Sequence, residues 1–388
     1  MLFALALVSL AVWIGLLFAH GGFWRCDQRL TPAPAPMNWP RVAVVIPARD
    51  EAETIRDVVA SHMASDYPGQ LDVFLVDDGS TDGTAEAAGA GATTGARPFH
   101  LVAAPPLETG WSGKLWALNA GLSAAKDAAP DADYLLLTDA DILHGPSLLQ
   151  GLVARAEKKT LALVSVMARL DGRGFWGGLL IPAFIFFFQK LYPFPRVNDL
   201  GSRTAGAAGG VVLLRRDALD EIGGIDAIRG ALIDDCALAA KVKRGPPARA
   251  IELVLSDEAA RATSLRDNRA FASIRKMIAR TAFTQLDHSA WKLAGAVAGM
   301  VLVYLVGPAA LLTWPLHGND AAALAGFGAW LAMMIAYAPT LRLYDRPALN
   351  GVALPFAALL YTAFTVDSAL QHWRGEGGEW KGRTYPAS

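Results

Sequence analysis

The chain has 388 residues, of which 53% are hydrophobic and 18% are charged, and its mean hydropathy is +0.30. This composition is too apolar for an ordinary soluble domain and too charged for a bundle of membrane helices alone, so it indicates a soluble domain with membrane segments attached. The net charge of −1 gives no overall basic field of the kind that favours nucleic acid as a partner. Cys26 and Cys236 match neither a metal-ligand spacing nor a disulfide framework.

Residues 1–22 are predicted to form an N-terminal transmembrane anchor. The segment from Met1 to Ala19 contains no charged side chain and is about long enough to cross a bilayer core. A signal peptide is the alternative, but the positive start and the small-residue cleavage site are missing. The arginines that follow are Arg25, Arg29 and Arg41, and the positive-inside tendency then places the next domain in the cytoplasm. Residues 23–40 are expected to be a linker, made stiff by the prolines of 31–36.

Residues 41–290 are predicted to form an α/β catalytic domain with a doubly wound, mostly parallel sheet. Short apolar runs alternate with helical patterns along this part of the chain, which is typical of such sheets. The predicted strands cover 42–46, 71–76, 99–102 and 134–138, and the predicted helices cover 53–65 and 115–125.

Two carboxylates, Asp139 and Asp141, follow the last of these strands directly. Ligands of open α/β sheets bind outside the carboxyl ends of the strands. Two carboxylates so close together repel each other unless a cation lies between them, and Mg²⁺ typically uses one or two carboxylates plus substrate phosphates. The alternative is that the aspartates only cap the next helix. Further acidic pairs, Asp77-Asp78 and Asp234-Asp235, weaken that alternative.

Two segments of the chain resemble known nucleotide-binding loops, but neither matches the full motif. The segment 111–115 resembles a Walker loop, but Glu108 stands where its first glycine belongs and Leu115 replaces its Ser or Thr. Gly89 and Gly91 match the first two glycines of a dinucleotide fingerprint, but the third glycine is not at the required spacing. Lys114 lies at a predicted helix start, a natural place for a cation that faces phosphate, although a solvated surface lysine is the alternative.

Four segments resemble, in order and spacing, successive motifs of the inverting family 2 glycosyltransferases, which have the GT-A fold. They are Ile46–Glu51, Val76–Thr84, Gly113–Lys114 and Thr138–Asp141. Two later segments, Gly209–Arg216 and Ile233–Leu238, resemble the acceptor-side strand and the acidic motif of the catalytic base. Segments 181–193 and 229–235, with the membrane segments, are most similar to the hopene-associated glycosyltransferases, a name that fixes no substrate.

The resemblance implies a role for each matching residue. Asp77 or Asp78 would contact the base or ribose of the nucleotide, and Lys114 the donor phosphate or sugar. Asp139 and Asp141 would bind a divalent metal, Mg²⁺ or Mn²⁺, together with the diphosphate. Asp235 would be the general base, with Asp234 beside it where many relatives have Glu. The donor-binding set is Pro47, Arg49, Glu51, Asp77, Asp78, Lys114 and Asp139, and the acceptor-side set includes Gly209, Gly210 and Gln285.

Two local patterns refine these roles. Gln285 is all that remains of the Gln-x-x-Arg-Trp motif of processive relatives, which favours transfer of a single sugar. The run 231–233 is predicted to be strand-like and 236–243 helical, so Asp235 would lie at a helix N-terminus, where the anionic form of a carboxylate is favoured.

The segment at about 175–194 is apolar, aromatic and broken by Pro182, so an interfacial membrane segment is expected, with a buried core helix as the alternative. Successive helical residues are about 100° apart, so the three aromatic residues 186–188 cannot all face one buried seam. Phe186 and Phe187 are therefore assigned to the acceptor side.

Residues 291–371 are predicted to form the C-terminal membrane helices. The apolar runs 293–316 and 321–341 make a plausible hairpin, whereas 352–370 is interpreted as spanning, re-entrant or interfacial. Residues 372–388 form a basic tail.

The resulting prediction is a multi-pass enzyme of a bacterial-type inner membrane, with its catalytic domain in the cytoplasm and no nucleic acid partner. It would transfer one sugar from a nucleotide-sugar donor to a lipid acceptor, with a hopanoid-related lipid as one candidate. Two alternatives remain open. In one, the acceptor is a polyprenyl phosphate, which Asp235 need not deprotonate. In the other, the chain is a non-catalytic membrane transporter or scaffold.

Overall fold

The computed structural model describes residues 1–256, 261–375, 379–380 and 383–384. Its strands are β1 (Val42–Ala48), β2 (Leu71–Asp77), β3 (Phe99–Ala103), β4 (Tyr134–Thr138), β5 (Ile142–His144), β6 (Leu163–Met167), β7 (Val211–Arg215), β8 (Ile251–Leu255), β9 (Ala262–Ser264), β10 (Glu379–Trp380) and β11 (Arg383–Thr384). Seven of them form one sheet in the order β3-β2-β1-β4-β7-β6-β8. In this sheet β7 is antiparallel to its neighbours β4 and β6, and all other pairs are parallel. The pairs β5-β9 and β10-β11 are antiparallel.

Both faces of the central sheet are buried, which explains its near-continuous apolar strands. In β1, Val42, Val44 and Ile46 belong to one hydrophobic cluster. Ala43 and Val45, which alternate with them, belong to a second cluster on the opposite face. The predicted mostly parallel, doubly wound sheet is confirmed, and so are its four predicted strands.

The helices surround the sheet and continue beyond it. They are α1 (Leu2–Ala19), α2 (Ile55–Met63), α3 (Thr84–Ala92), α4 (Gly113–Ala128), α5 (Leu148–Lys159), α6 (Gly174–Leu191), α7 (Phe194–Val197), α8 (Arg216–Glu221), α9 (Asp234–Arg244), α10 (Phe271–Ala279), α11 (Ala290–Met300), α12 (Val306–Leu312), α13 (Trp314–His317), α14 (Asp320–Leu343) and α15 (Leu354–Trp373). A π-helical turn, Val301–Leu305, joins α11 to α12.

Five helical segments of the described chain are long and apolar enough to cross a membrane by length and composition. They are Leu2–Ala19, Gly174–Val197, Ala290–Leu312, Asp320–Leu343 and Ala348–Trp373. The N-terminal helix packs on α12 and α14, and the indole Nε1 of Trp13 donates to the carbonyl of Val303 in the π-helical turn at 2.7 Å. The predicted apolar helices at both ends of the chain are therefore present. Whether 174–197 spans the membrane or lies at its surface stays a prediction.

Two regions differ from the sequence-based expectation, and a third is only partly described. Residues 231–233 form no strand; they follow the 3₁₀ turn Ile225–Ile228, and the amide of Ala231 donates back to the carbonyl of Ile228. Residues 23–30 are not an open linker, because Phe23, Cys26 and Leu30 are buried and pack on the core. Parts of the predicted basic tail, namely 376–378, 381–382 and 385–388, lie outside the described residues.

Candidate active site

The predicted site residues of β4 and β7 meet because these strands run antiparallel. Thr138, the last residue of β4, is paired with Val211, the first residue of β7. The residues just outside the two strands are then neighbours, and the amide of Asp139 donates to the carbonyl of Gly210 at 3.3 Å. The strand pairing therefore brings Gly209 and Gly210 to the edge of the sheet where Asp139 and Asp141 lie.

The carboxylate of Asp235, in the first turn of α9, is held by two backbone amides. Gly209 donates to Oδ2 at 2.6 Å and Cys236 donates to Oδ1 at 2.7 Å. A Cβ atom on Gly209 would lie 3.1 Å from Oδ2 and 3.3 Å from the Cβ of Asp235, closer than nearly all real Cβ contacts. A larger side chain at position 209 would therefore have to push the Asp235 carboxylate aside by a few tenths of an ångström. The carboxylate keeps lone pairs for a further donor.

Two opposing effects act on the pKa of Asp235. Burial and then the adjacent Asp234 carboxylate raise it, while Lys114 and the two backbone amides lower it, and the net pKa lies above that of an ordinary aspartate. The sequence indicated an anionic carboxylate favoured by the helix N-terminus. In the folded chain, removal from water has the larger effect on the pKa of Asp235.

Lys114, in the first turn of α4, links two of the acidic pairs. Its Nζ lies 2.9 Å from Oδ1 of Asp139 and 3.2 Å from Oδ2 of Asp234, and its side chain is 19% exposed. Burial acts to lower the pKa of Lys114, but the carboxylates of Asp139 and Asp234 act in the opposite direction and leave it raised. It is therefore a charged, ion-paired lysine and not a solvated surface residue.

Asp141 is buried beside two residues that sequence reasoning missed. Its Oδ2 accepts a hydrogen bond from Oγ of Ser264 at 2.8 Å and lies 3.0 Å from Nε of Arg266. Nη2 of Arg266 is also 3.5 Å from Oε1 of Glu51. The antiparallel pairing of Ile142 with Ser264 places them there. No motif marks these residues in the sequence, since short strands far apart in the chain create the contact.

The donor set at this edge fits a divalent cation that also binds substrate. Asp139 and Asp141 offer carboxylate oxygens, the ligands that Mg²⁺ and Mn²⁺ accept. Among the described residues, no group of three or more His, Cys, Asp or Glu side chains could hold a metal ion. Phosphate oxygens of a bound nucleotide would therefore have to complete the coordination shell.

One cavity of about 570 Å³ connects the acidic site to the apolar helices. Its polar end is lined by Lys114, Asp139, Asp141, Asp234, Asp235 and Arg266. Its apolar end is lined by residues of α6, α10, α11 and α15, among them Phe187, Phe188, Met277, Met300 and Tyr361. The predicted residues Pro47, Glu51, Gly209, Gly210 and Gln285 also line it. The chain thus places charged and apolar surfaces in a single cavity.

Arg49, Asp77 and Asp78 do not line this cavity but cluster at the carboxyl ends of β1 and β2. Nη1 of Arg49 donates to the backbone carbonyl of Asp78 and lies 3.6 Å from its Oδ2. Oδ1 of Asp77 accepts from the amide of Ser80 at 3.2 Å. Pro47, the residue next but one to Arg49, lines the cavity, so this cluster adjoins the acidic site.

Phe186 does not have the position expected of an acceptor-side residue. Its side chain is fully buried, with its ring centroid 5.4 Å from that of Phe23 and 5.2 Å from that of Tyr337. Phe187 and Phe188 are half-buried and line the cavity. The 100° spacing of helical residues separates the three rings as expected. Phe186 faces the N-terminal segment and α14, and it does not line the cavity.

Replacing Lys114 with methionine is expected to weaken donor binding by at least tenfold. Methionine keeps much of the side-chain volume but removes the cation that Asp139 and Asp234 share. These two half-buried carboxylates would then repel the phosphates of the donor. Titration calorimetry with nucleoside diphosphates would measure the Kd, and Lys126→Met, on the same helix, is the control. An unchanged Kd in Lys114→Met would show that the lysine does not serve the donor.

Comparison with known proteins gives one family match. Residues 43–223 match the model of Glycosyl transferase family 2. The matched range contains Asp139, Asp141, Lys114, Gly209 and Gly210. It does not include α9, the C-terminal helices or the N-terminal helix α1.

Two relatives extend the comparison. An N-acetylglucosaminyltransferase of Mesorhizobium japonicum is 30% identical over 132 residues, which are 33% of this chain, and the match spans 28% of that protein's length. The solved structure of a mannosyltransferase from Pyrobaculum calidifontis, in complex with GDP-Man and Mn²⁺, covers 96% of this chain and 99% of its own, with a TM-score of 0.57 and 21% sequence identity. The second likeness concerns the fold alone.

Proposed function

We propose that this chain, which carries a family 2 glycosyltransferase domain, transfers one sugar from a nucleotide-sugar donor to a lipid acceptor. The observation that carries the proposal is the cavity that joins the acidic site to the apolar surfaces of α6, α10, α11 and α15. A soluble acceptor would gain nothing from that apolar end. A lipid can place its polar group at Asp235 while its apolar part contacts Phe187 and Tyr361.

The donor side follows from the charges of the site. A departing nucleoside diphosphate carries negative charge, and Lys114 and Arg266 are the cations nearest the strand-end carboxylates. Asp139 and Asp141 would hold a divalent metal, which when bound supplies Lewis-acid stabilisation of the leaving group. The mannosyltransferase of similar fold was solved with GDP-Man and Mn²⁺, which supports this assignment.

The acceptor side follows from Asp235. The acceptor oxygen bonds to the anomeric carbon as the bond from that carbon to the diphosphate breaks, and Asp235 takes the hydroxyl proton. Attack on the face opposite the leaving group inverts the anomeric configuration. The carboxylate of Asp234 is ion-paired with Lys114 and therefore lies on the donor side. This separates the work of the two neighbouring aspartates.

Lys190 favours a second candidate, an acceptor that carries a phosphate. Its Nζ donates to the hydroxyl of Tyr304 at 2.9 Å and lies over the rings of Phe187 and Tyr304, at 5.6 and 4.7 Å from their centroids. Among the described residues, no carboxylate lies within 4 Å of this ammonium, which lines the same cavity. A polyprenyl phosphate could supply the missing anion, and Asp235 would then have no proton to remove.

Product analysis would test the proposal and separate the two acceptors. The full chain in membranes would be incubated with a panel of nucleotide sugars and either a neutral lipid alcohol or a polyprenyl phosphate. A hopanoid alcohol is the first neutral lipid to try, given the resemblance to the hopene-associated enzymes. Donor-dependent release of nucleoside diphosphate and a glycosylated lipid in the mass spectrum are expected. If no donor yields a nucleoside diphosphate, a transporter or scaffold becomes the better explanation.

Replacing both Phe187 and Phe188 with glutamine is expected to raise the KM for the lipid acceptor while the donor Kd changes little. Each ring contributes apolar contact to the cavity, and losing a buried aromatic contact costs about 1.5–3 kcal/mol, or at least tenfold in affinity. Phe175→Gln, at the exposed start of the same helix, is the control. Equal loss of donor and acceptor binding would instead indicate a folding defect, which thermal melting would reveal.

A further inference from the structure

A second cavity, of about 290 Å³, lies beside the catalytic one. Met167 and Ala168 line both cavities and so form a shared wall between them. The second cavity lies between the carboxyl ends of β6 and β8 and the C-terminal end of α14. Its volume is close to the lower end of the roughly 300–1,000 Å³ range of small-molecule sites. None of the residues assigned above to donor, metal or catalysis lines it.

The described lining of this cavity is strongly basic. It contains four guanidinium groups and one carboxylate, from Arg29, Arg169, Arg261, Arg342 and Asp345. The carboxylate of Asp345 is 79% exposed and pairs with Nη2 of Arg169 at 2.6 Å. Solvent screens such an exposed partner. With Arg261 left aside, the described lining still has three guanidinium groups, from Arg29, Arg169 and Arg342, against this one carboxylate.

The backbone fixes two of these arginines in place. Arg29 forms an isolated parallel bridge with Leu255 at the end of β8, and its Nε donates to the carbonyl of Cys26 at 3.1 Å. Arg169 forms a similar bridge with Thr263, and its guanidinium lies 5.6 Å from the ring centroid of Tyr344. Arg342 lies in the last turn of α14. Fixed guanidinium groups are well suited to phosphate, which they can bind through two parallel hydrogen bonds.

The remaining lining is apolar and leads toward the membrane helices. Ile185 of α6 and Leu343 of α14 both line the cavity, and both helices are among the segments long and apolar enough to span a bilayer. Basic residues at the end of such a helix lie at the depth of lipid headgroups. A ligand with a phosphate and an apolar tail therefore matches both halves of the lining.

We propose that this cavity binds the phosphate group of an anionic phospholipid, with Arg29, Arg169 and Arg342 as its cationic partners and Ile185 and Leu343 beside its acyl chains. The proposal concerns binding alone and is independent of any sugar transfer. It would tie the catalytic domain to the cytoplasmic lipid layer at the end of α14.

Lipid binding to the purified full chain would test this directly, by native mass spectrometry from detergent with phosphatidylglycerol or phosphatidylcholine added. One phosphatidylglycerol is expected to bind in preference to phosphatidylcholine. A basic residue near an anionic lipid surface contributes about fivefold in affinity, so Arg342→Gln should lose about that much and Arg169→Gln with Arg342→Gln about twenty-fold or more.

Arg374→Gln is the matched control, since Arg374, like Arg342, is a basic residue at the C-terminal end of an apolar helix, but it lines neither cavity. Equal loss in Arg342→Gln and Arg374→Gln, or equal binding of the two lipids, would overturn the proposal. Displacement of phosphatidylglycerol by millimolar inorganic phosphate would identify a site for soluble anions and would overturn the lipid assignment. Because no sugar donor is present, the result does not depend on whether the chain is a glycosyltransferase.

Discussion

Replacing Asp235 with asparagine is expected to lower kcat by about 10² to 10⁴, the usual contribution of general-base assistance, while the Kd of the donor changes little. The substitution keeps the side-chain shape and the acceptor for the amide of Gly209, but it removes the group that takes the proton. The proposed donor contacts are other residues, and Lys114 is ion-paired with Asp139 and Asp234. Single-turnover kinetics with saturating donor and a neutral lipid alcohol would measure the effect.

Two further substitutions distinguish the base from its neighbours. Asp220→Asn removes an exposed carboxylate from α8 and should leave both constants unchanged. Asp234→Asn removes a partner of Lys114 and should affect donor binding more than Asp235→Asn does. The assignment of Asp235 would be wrong if Asp235→Asn lost donor affinity and kept its kcat. An unchanged kcat with a polyprenyl phosphate would instead favour the acceptor that needs no base.

The pH dependence of kcat provides an independent readout of the same residue. The base acts in its deprotonated form, so kcat is expected to fall as the pH is lowered through the pKa of Asp235. Burial and Asp234 raise that pKa, so the decline should begin at a higher pH than an ordinary aspartate, with a pKa of about 3.9, would give. In Asp235→Asn the remaining activity should lack this acid limb.

The strands and acidic motifs could be predicted because their signals are local. A buried strand such as Tyr134–Thr138 is a continuous apolar run, and the carboxylates directly after it mark the ligand-binding edge. The role of Lys114 could also be predicted from the sequence, since a glycine-lysine pair at a helix start indicates a cation that faces phosphate. Asp139, Asp141 and Lys114 then line one cavity, whereas Asp77 and Asp78 lie beside it at the end of β2.

The parts that could not be predicted depend on contacts between distant segments. Ser264 and Arg266 reach Asp141 only because β5 and β9 pair. The apolar run 231–233 resembles a strand, but no neighbouring strand pairs with it, and it turns toward the cavity instead. Phe186 and Phe187 are adjacent and chemically identical, so only the packing of Phe23 and Tyr337 on the former decides which ring is sealed in the core.

Excess chelator is expected to abolish sugar transfer, and Mg²⁺ or Mn²⁺ to restore it, because the developing charge on the diphosphate needs more than Lys114 and Arg266. Asp141→Asn should remove most of the activity with the fold intact, since asparagine can still accept from Ser264. Full activity in excess chelator would show that these carboxylates serve another purpose.

The arrangement of charges also predicts when the metal binds. Asp139 is paired with Lys114, and Asp141 is paired with Arg266, so a cation must compete with side chains that are already present. Two carboxylates without a third protein ligand hold Mg²⁺ or Mn²⁺ weakly, and phosphate oxygens would supply the missing coordination. We therefore expect Mn²⁺ binding, followed by electron paramagnetic resonance, to be weak in the chain alone and much stronger when a nucleoside diphosphate is added. Asp57→Asn, on the exposed face of α2, should keep that linkage, and Asp141→Asn should lose it. Tight Mn²⁺ binding without nucleotide would contradict a site that is completed by its substrate.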